Sequence, residues 1–351
     1  MIVNNEEFKK KINLLGMAVS KNAASKLAEH MLRFECIDGI VYGFSYDSIN
    51  NIRVEIGPSD KDFYAIVDYK MFSDFIRSCD GDITLEPTGK FIQIKASNVK
   101  CKLPTYNHET KRGQSGIEDP TGDYDYSRNL SEDIPLGILK SILNPNFEVE
   151  TYRNIYFGDN VMVSDTDNVL ILEKRIFDED ILLNLSSVEI LNSCTNVTYS
   201  YANKGNLRLL CVKTDELCAT MVITNNDNND FQYSDFMDLF DSLGGASVSL
   251  DTSVLSRAVS AASMFKTTPN IVFNPKGIFL RIDNVEFIYK LSDAVCEDHT
   301  FELTSSIAKK MIAIGKDITI SYTNADLIKC EVDGIREILS AKEVVANGWS
   351  Y

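Results

Sequence analysis

Apolar and polar residues follow one another in the same order three times along the chain. Each unit opens with apolar residues at intervals of three and four, which predicts an amphipathic helix, and continues with alternation, which predicts strands. The second halves show the repeat best, because each predicts a short helix followed by two strands and a turn of Gly, Asn, Asp or Lys. They cover residues 67–104, 184–222 and 303–341. A pattern that recurs at a constant interval indicates tandem copies of one domain.

The predicted fold class is α+β, with three tandem domains in which two helices pack on antiparallel sheet. The expected domains are 1–117, 118–243 and 244–351, the last including a C-terminal tail. The first helix of each domain is predicted near 4–20, 134–146 and 252–266. The stretch 108–133, rich in Gly, Asp and Ser, is predicted to be a linker.

Composition argues against several classes of protein. Apolar residues make up 44% and charged residues 25% of the chain, as in ordinary soluble globular proteins, and no apolar run reaches the roughly 18 residues of a membrane helix. The N-terminus has no basic region followed by an apolar core, so we expect no secretory signal, no membrane partner and a cytoplasmic location. The eight Cys form no C-x-x-C pair, which favours free thiols over disulfides or a zinc site.

The common catalytic motifs do not occur in the sequence. It contains no G-x-x-x-x-G-K-[ST], G-x-G-x-x-G, G-x-S-x-G or H-E-x-x-H, and its three His are scattered. The run Asp165-Thr-Asp-Asn begins like a calcium loop but lacks the glycine at position six. We therefore expect no metal, no cofactor and no enzymatic activity, while a nuclease or hydrolase built from paired carboxylates stays open.

Charge is distributed unevenly between the predicted helices and the rest of the chain. The net charge is −16, yet six helical windows hold eleven basic and five acidic residues, which leaves −22 for the remainder. If these helices share one surface, that surface can hold a phosphate backbone without reading its sequence. The alternative is that Lys and Arg are simply good helix formers on solvated faces. The candidate phosphate contacts are Lys10, Lys70, Arg77, Lys140, Arg257, Lys309 and Lys310, with Lys21 and Lys26 as candidates at the rim of that surface.

Short segments distributed over nearly the whole chain carry a resemblance through their order and spacing. They are EFKKKINLL at 7–15, FECIDGIV at 34–41, GDITLE at 81–86, KLPT at 102–105 and SVLSRAV at 253–259. This order resembles the bacterial or phage-type DNA sliding clamp, the β subunit of DNA polymerase III.

The resemblance implies a non-enzymatic ring in which two three-domain chains close head to tail around duplex DNA, with the helices lining the hole. The implied partners are double-stranded DNA, a DNA polymerase, a clamp loader and a second copy of the chain. The implied dimer contact joins Cys101 and Leu103 to Met264 and Phe265. The alternative is that these are ordinary core residues, and for Cys101 the two interpretations carry equal weight. A trimer of two-domain chains is disfavoured because three repeats are present. The alternative function is a repeat-domain interaction scaffold that never contacts DNA.

The resemblance also implies a hydrophobic cleft between the second and third domains that captures short peptide motifs of partner proteins. The turn and tail here read Asp-Asn-Val and Gly-Trp-Ser, where the family usually has Gly-His-Arg and Met-Pro-Met. The single Trp of the chain lies in this tail, and aromatic side chains are preferred anchors in binding pockets. The alternative is a tail that covers its own core. The matching positions are Thr166, Val169, Leu170, Leu239, Phe240, Val345, Trp349 and Tyr351.

Overall fold

The amphipathic patterns fold into short helices, each lying between strands. The computed structural model describes residues 1–106, 117–130, 133–143, 154–165, 168–225, 233–243, 247–293, 299–322 and 327–340. The α-helices in this part of the chain are α1 (Asn5–Gly16), α2 (Tyr69–Arg77), α3 (Leu136–Ile142), α4 (Leu185–Asn192), α5 (Tyr233–Ser242), α6 (Thr252–Ala262) and α7 (Ser305–Ile314). The three first helices of the predicted domains are confirmed as α1, α3 and α6, each shorter than its predicted window.

The alternating segments form strands that pair antiparallel with their neighbours. They are β1 (Ile2–Val3), β2 (Met31–Ile37), β3 (Ile40–Tyr46), β4 (Asn50–Pro58), β5 (Tyr64–Asp68), β6 (Ile83–Pro87), β7 (Phe91–Lys95), β8 (Lys100–Pro104), β9 (Arg128–Asn129), β10 (Asn154–Phe157), β11 (Val161–Ser164), β12 (Asn168–Leu172), β13 (Ile181–Asn184), β14 (Thr198–Lys204), β15 (Leu207–Lys213), β16 (Leu217–Ile223), β17 (Ser247–Asp251), β18 (Asn270–Asn274), β19 (Gly277–Ile282), β20 (Phe287–Ser292), β21 (His299–Glu302), β22 (Asp317–Tyr322), β23 (Leu327–Val332) and β24 (Ile335–Ser340).

Short polar side chains start most of the helices directly after the preceding segment. In each case a side-chain oxygen accepts hydrogen bonds from backbone N–H groups of the first turn, which otherwise have no partner. This capping is why the chain can turn from strand to helix without a loop. The capping residues are Asn4, Asp68, Asn184, Asp251 and Thr304.

The contacts divide the chain into two compact units that do not coincide with the three repeats. Unit 1 comprises residues 1–134 and 183–225, and unit 2 comprises 135–182 and 226–351. The reason is that strands pair across the junctions between repeats, so each unit combines one outer repeat with half of the middle one. The domain boundaries at 117 and 243 stay predictions of the sequence repeat.

Unit 1 contains a sheet that runs through the junction of the first and second repeats. Its strand order is β5-β2-β3-β4-β16-β15-β14-β9, and β4 pairs with β16 from Val54↔Leu217 to Asn50↔Met221. Helices α1 and α2 pack against each other on this sheet. Gly43 in β3 permits the close packing of α1 on the sheet, because a Cβ there would lie 2.5 Å from Leu15 Cδ1 in α1. A second sheet has the order β1-β6-β7-β8, with β8 at its edge.

The segment predicted as a linker is packed against unit 1 where the structure describes it. Ile117 is buried in a cluster with Met31, Phe44 and Ile66. Arg53 on β4 donates to Asp119 at 2.9 Å. Residues 117–130 are therefore packed into the fold, and whether the stretch 108–133 links two domains stays a prediction of the sequence repeat.

Unit 2 repeats the arrangement at the junction of the second and third repeats. Its larger sheet has the order β17-β22-β23-β24-β12-β11-β10, in which β24 pairs with β12 from Asn168↔Leu339 to Leu172↔Ile335. Helix α7 contacts both α3 and α6, so three helices lie side by side against the sheet. The smaller sheet has the order β20-β19-β18-β21.

We expect Asn50→Ala to lower the free energy of unfolding by about 1–3 kcal/mol, because it removes buried hydrogen bonds across the first junction. Asn50 Oδ1 accepts from Ser187 Oγ at 2.6 Å, and Asn50 Nδ2 donates to Ser186 Oγ at 2.9 Å. Urea unfolding followed by circular dichroism measures the loss. The control is Asn203→Ala, an exposed position on β14 that should change stability by less than about 0.5 kcal/mol. Equal losses in the two variants would contradict this role of Asn50.

Candidate functional site

Basic side chains project from the helices of unit 1 on the side away from the sheet. The faces of α1 and α2 that pack inward are apolar and include Phe8, Ile12 and Phe72. Opposite them, the predicted side chains Lys10, Lys70 and Arg77 are all exposed. Arg77 also lies 3.6 Å from Asp74 Oδ1, an exposed pair that contributes little to stability.

The three neighbouring helices of unit 2 each present one exposed basic residue. Lys140 belongs to α3, Lys309 to α7 and Arg257 to α6, and all three side chains are solvent-exposed. Because α7 touches both other helices, these positive groups share one helical layer. The two rim candidates, Lys21 and Lys26, are also exposed but lie in the segment after α1, outside the α-helices.

Lys310 departs from the sequence prediction. It is only 6% exposed, and its Nζ lies 2.9 Å from Asp165 Oδ2. Within α7 it shares the inward face with Ile307 and Ile314, at intervals of three and four residues. The expectation that Lys310 contacts phosphate is therefore wrong, because its ammonium group is committed to a buried ion pair.

The predicted dimer residues of the first repeat lie on β8, the edge strand of the smaller sheet in unit 1. Cys101 is half-buried and Leu103 is buried, opposite Ile94 and Ile92 of β7. Strand alternation sends these two side chains inward, so Leu103 is a core residue in this chain. What β8 presents outward is its unpaired backbone edge among the described strands, with exposed Lys100 and Lys102.

The predicted dimer residues of the third repeat lie on the surface of unit 2. Met264 is 73% exposed and Phe265 is 38% exposed, directly after α6. The Phe265 ring packs on Phe287, with centroids 5.2 Å apart. Val285 and Ile288 are also exposed, on or next to β20, an edge strand of the smaller sheet. The sequence prediction omitted Val285, Phe287 and Ile288, although their position just before and within an alternating strand was a usable signal.

An apolar cluster contains one of the residues predicted to line the cleft. Met162, Val169 and Ile171 form it on one face of β11 and β12, and Tyr156, Phe236 and Met237 pack against it. Val169 was predicted, whereas the others were not. Leu170 is completely buried and points to the opposite face of β12, so it does not line this cluster.

The other predicted cleft positions divide between surface, interior and undescribed chain. Leu239 is exposed, but Phe240 is buried beneath the Lys329 ammonium, 4.0 Å from its ring centroid, and beside Arg336. The structure thus does not offer Phe240 as a contact surface. The remaining predicted positions lie outside the described residues: Thr166, Val345, Trp349 and Tyr351.

Three further observations concern the chemistry of the described residues. The seven cysteines among them are all free thiols, as predicted. No group of three His, Cys, Asp or Glu in this part of the chain is arranged to hold a metal ion. None of the described helices has the length and apolar character required to cross a membrane.

Solved structures with the same architecture include β subunits of bacterial DNA polymerase III and bacterial β clamps. The β subunit of DNA polymerase III from Thermotoga maritima aligns with a TM-score of 0.76 and 13% identity, covering 98% of this chain and 99% of its own. The Helicobacter pylori β clamp bound to a DNA ligase peptide aligns with a TM-score of 0.75 and 14% identity, covering 97% of this chain and 99% of its own. The β chain of DNA polymerase III from Streptococcus pneumoniae aligns with a TM-score of 0.72 and 12% identity, covering 98% of this chain and 99% of its own.

The chain has the β-clamp fold. The match extends over nearly the whole length, so the fold class predicted from the sequence, three tandem clamp domains of helices on antiparallel sheet, is confirmed. At sequence identities of 12–14%, this similarity is one of fold. No family model matches the sequence, and no curated protein matches it.

In this clamp-fold chain, adjacent lysines should differ sharply in reactivity toward an amine-acylating reagent. Breaking a buried ion pair costs about 3–5 kcal/mol, so we expect Lys310 to react at least roughly tenfold more slowly than exposed Lys309. Mass spectrometry of timed digests measures both rates on one peptide. Comparable rates at the two positions would contradict the burial of Lys310.

Proposed function

We propose that this chain is a sliding clamp, a processivity factor that encircles duplex DNA and tethers a DNA polymerase without enzymatic activity of its own. The observation that carries the proposal is that the helices of each unit expose basic side chains in a clamp-fold chain whose net charge is −16. Phosphate binding needs local positive charge, which this chain concentrates on helices. Contacts to phosphate alone carry no sequence information, so such contacts permit sliding.

The proposed ring is a homodimer closed head to tail through the two open edges already described. Strand β8 supplies one edge, and β20 supplies the other with Met264 and Phe265 beside it. An unpaired edge next to exposed apolar side chains favours association with another chain. The role assigned to Cys101 and Leu103 changes accordingly: they support β8 from within, while its backbone makes the contact.

The proposed partner site is the apolar cluster of Met162, Val169 and Ile171 with α5, completed by the C-terminal tail. The solved Helicobacter pylori clamp carries a DNA ligase peptide. For this chain we propose that peptide motifs of the polymerase and of the clamp loader bind here, in the cytoplasm of a bacterium or of a phage-infected cell. Leu239 is an exposed apolar residue of α5, and we propose it as a contact for such a peptide.

The role of the basic helix side chains can be tested with two triple variants of equal net charge. One replaces Lys10, Lys70 and Lys309 on the helices by Glu. The other replaces Lys61, Lys213 and Lys276, exposed residues outside the helices, by Glu. Binding to a labelled linear duplex is measured by fluorescence anisotropy over a series of salt concentrations.

We expect the helix triple to lose affinity and to reduce the slope of log K against log salt by about 0.9 for each phosphate contact removed. The control triple should bind like the wild type. Equal weakening in both triples would mean that net charge alone matters and would contradict the proposed DNA-binding role of the helices.

The proposed dimer predicts that the wild-type chain has twice the chain mass of 39.4 kDa in size-exclusion chromatography with light scattering. Met264→Asp should give the mass of a single chain, because it places a charge in the apolar contact. Leu207→Asp is the matched control, since Leu207 is also an exposed apolar residue but lies on β15. A monomeric wild type would contradict the homodimer and favour the interaction scaffold.

A further inference from the structure

Three ionisable side chains meet inside unit 2, at the junction where β24 of the third repeat pairs with β12 of the second. Lys310 comes from α7, Asp165 follows β11, and Glu337 lies within β24. The first two form the buried ion pair, with Nζ and Oδ2 2.9 Å apart. Glu337 is 0% exposed, and within the described part of the chain neither of its carboxyl oxygens has a hydrogen-bond partner.

Asp165 connects this cluster to the start of β12. Its Oδ1 accepts from the backbone N–H and from Nδ2 of Asn168, both at 2.7 Å. Its Oδ2 accepts from Lys310. The carboxylate thus joins the residue that follows β11 to the first residue of β12, the strand that carries Val169, and anchors both to α7.

Burial raises the pKa of Glu337 to about 8, with repulsion from Asp165 acting in the same direction and attraction to Lys310 opposing it. At neutral pH the Glu337 carboxyl is therefore mostly protonated, which leaves Lys310 to Asp165 alone. If Glu337 were ionised, its carboxylate would attract the same Lys310 ammonium group that Asp165 attracts.

Few other titratable groups face Glu337 from the elements packed around it. Opposite it on β23 is Cys330, whose thiol pKa is raised by burial and by the nearby carboxylates of Glu337 and Glu331. Its neighbour on β12 is Leu170, and that strand has no ionisable residue. The ionisable side chain of α3 is Lys140, which is exposed.

We propose that Asp165, Lys310 and Glu337 form a proton-controlled lock on the contact between Asp165 and Asn168. While Glu337 is neutral, Lys310 pairs only with Asp165 and holds its carboxylate against Asn168. When Glu337 loses its proton, Lys310 is shared between two carboxylates and the Asp165–Asn168 contact weakens. Lys310 is thus a positioning residue. The lock stands without the proposed clamp function; its effect on partner binding beside Val169 rests on that function.

The test compares the wild type with Glu337→Gln, in which no proton can leave, by urea unfolding between pH 6 and pH 9. The folded-state pKa of Glu337 lies above its ordinary value of 4.5, so the native state holds a proton that the unfolded state releases, and stability is lost as pH rises toward about 8. We expect the ratio of the two unfolding constants, wild type over variant, to rise on the order of tenfold to a hundredfold over this range.

The second readout is hydrogen exchange of the Asn168 amide, followed by mass spectrometry and corrected for intrinsic rates. Its protection should fall between pH 7 and pH 9 in the wild type and persist in Glu337→Gln. Glu337→Met serves as a second variant if the buried amide impairs folding. Glu331→Gln is the control, since Glu331 lies on β23 with a partly exposed side chain and should behave like the wild type.

Two results would overturn the lock. Parallel stability profiles of wild type and Glu337→Gln would show that Glu337 does not titrate between pH 6 and pH 9. A pH-dependent ratio with unchanged Asn168 protection would show that Glu337 titrates without controlling the contact between Asp165 and Asn168. Neither measurement involves DNA or dimer formation, so a result that overturns the lock is distinct from one that overturns the proposed function.

Discussion

Antiparallel pairing across the repeat junctions is the interaction on which the rest of this structure depends. A strand at the edge of a sheet exposes backbone N–H and C=O groups that need partners. Strand β4 satisfies this need with β16, and β12 satisfies it with β24. The same pairing builds the sheets on which α1, α2, α3, α6 and α7 lie. It also explains why the compact units divide the middle repeat.

The junctions also determine where polar groups can be buried. At the first junction Asn50 is completely buried yet bonds to Ser186 and Ser187. At the second, Glu337 is buried without a hydrogen bond in the described chain, beside an ion pair. A buried polar group with partners stabilises one arrangement, whereas one without partners costs free energy. The two junctions thus have similar strand pairing but different electrostatics.

The separation of charge gives the helices of each unit their proposed role in binding DNA. Apolar side chains occupy the inward faces of α1, α2, α3, α6 and α7, so exposed lysines and arginines on these helices must point away from the sheet. Helix α5 differs, since its exposed positions include Asp235 and Asp238. It packs instead on the apolar cluster around Val169. The five helices with exposed basic side chains and α5 therefore present surfaces of opposite sign, whereas α4 has no basic residue.

The sequence alone determined the repeat, the order of the helices other than α5, the fold class and most of the exposed basic positions. These properties depend on the periodicity of neighbouring residues, which fixes the faces of a single element. Only the tertiary structure decided that Lys309 is free to meet solvent while Lys310 is buried, that Val169 and Leu170 face opposite layers, and that residues 117–130 pack on unit 1. Those outcomes depend on which distant segments pair and in which register, and local alternation does not encode the identity of the partner strand.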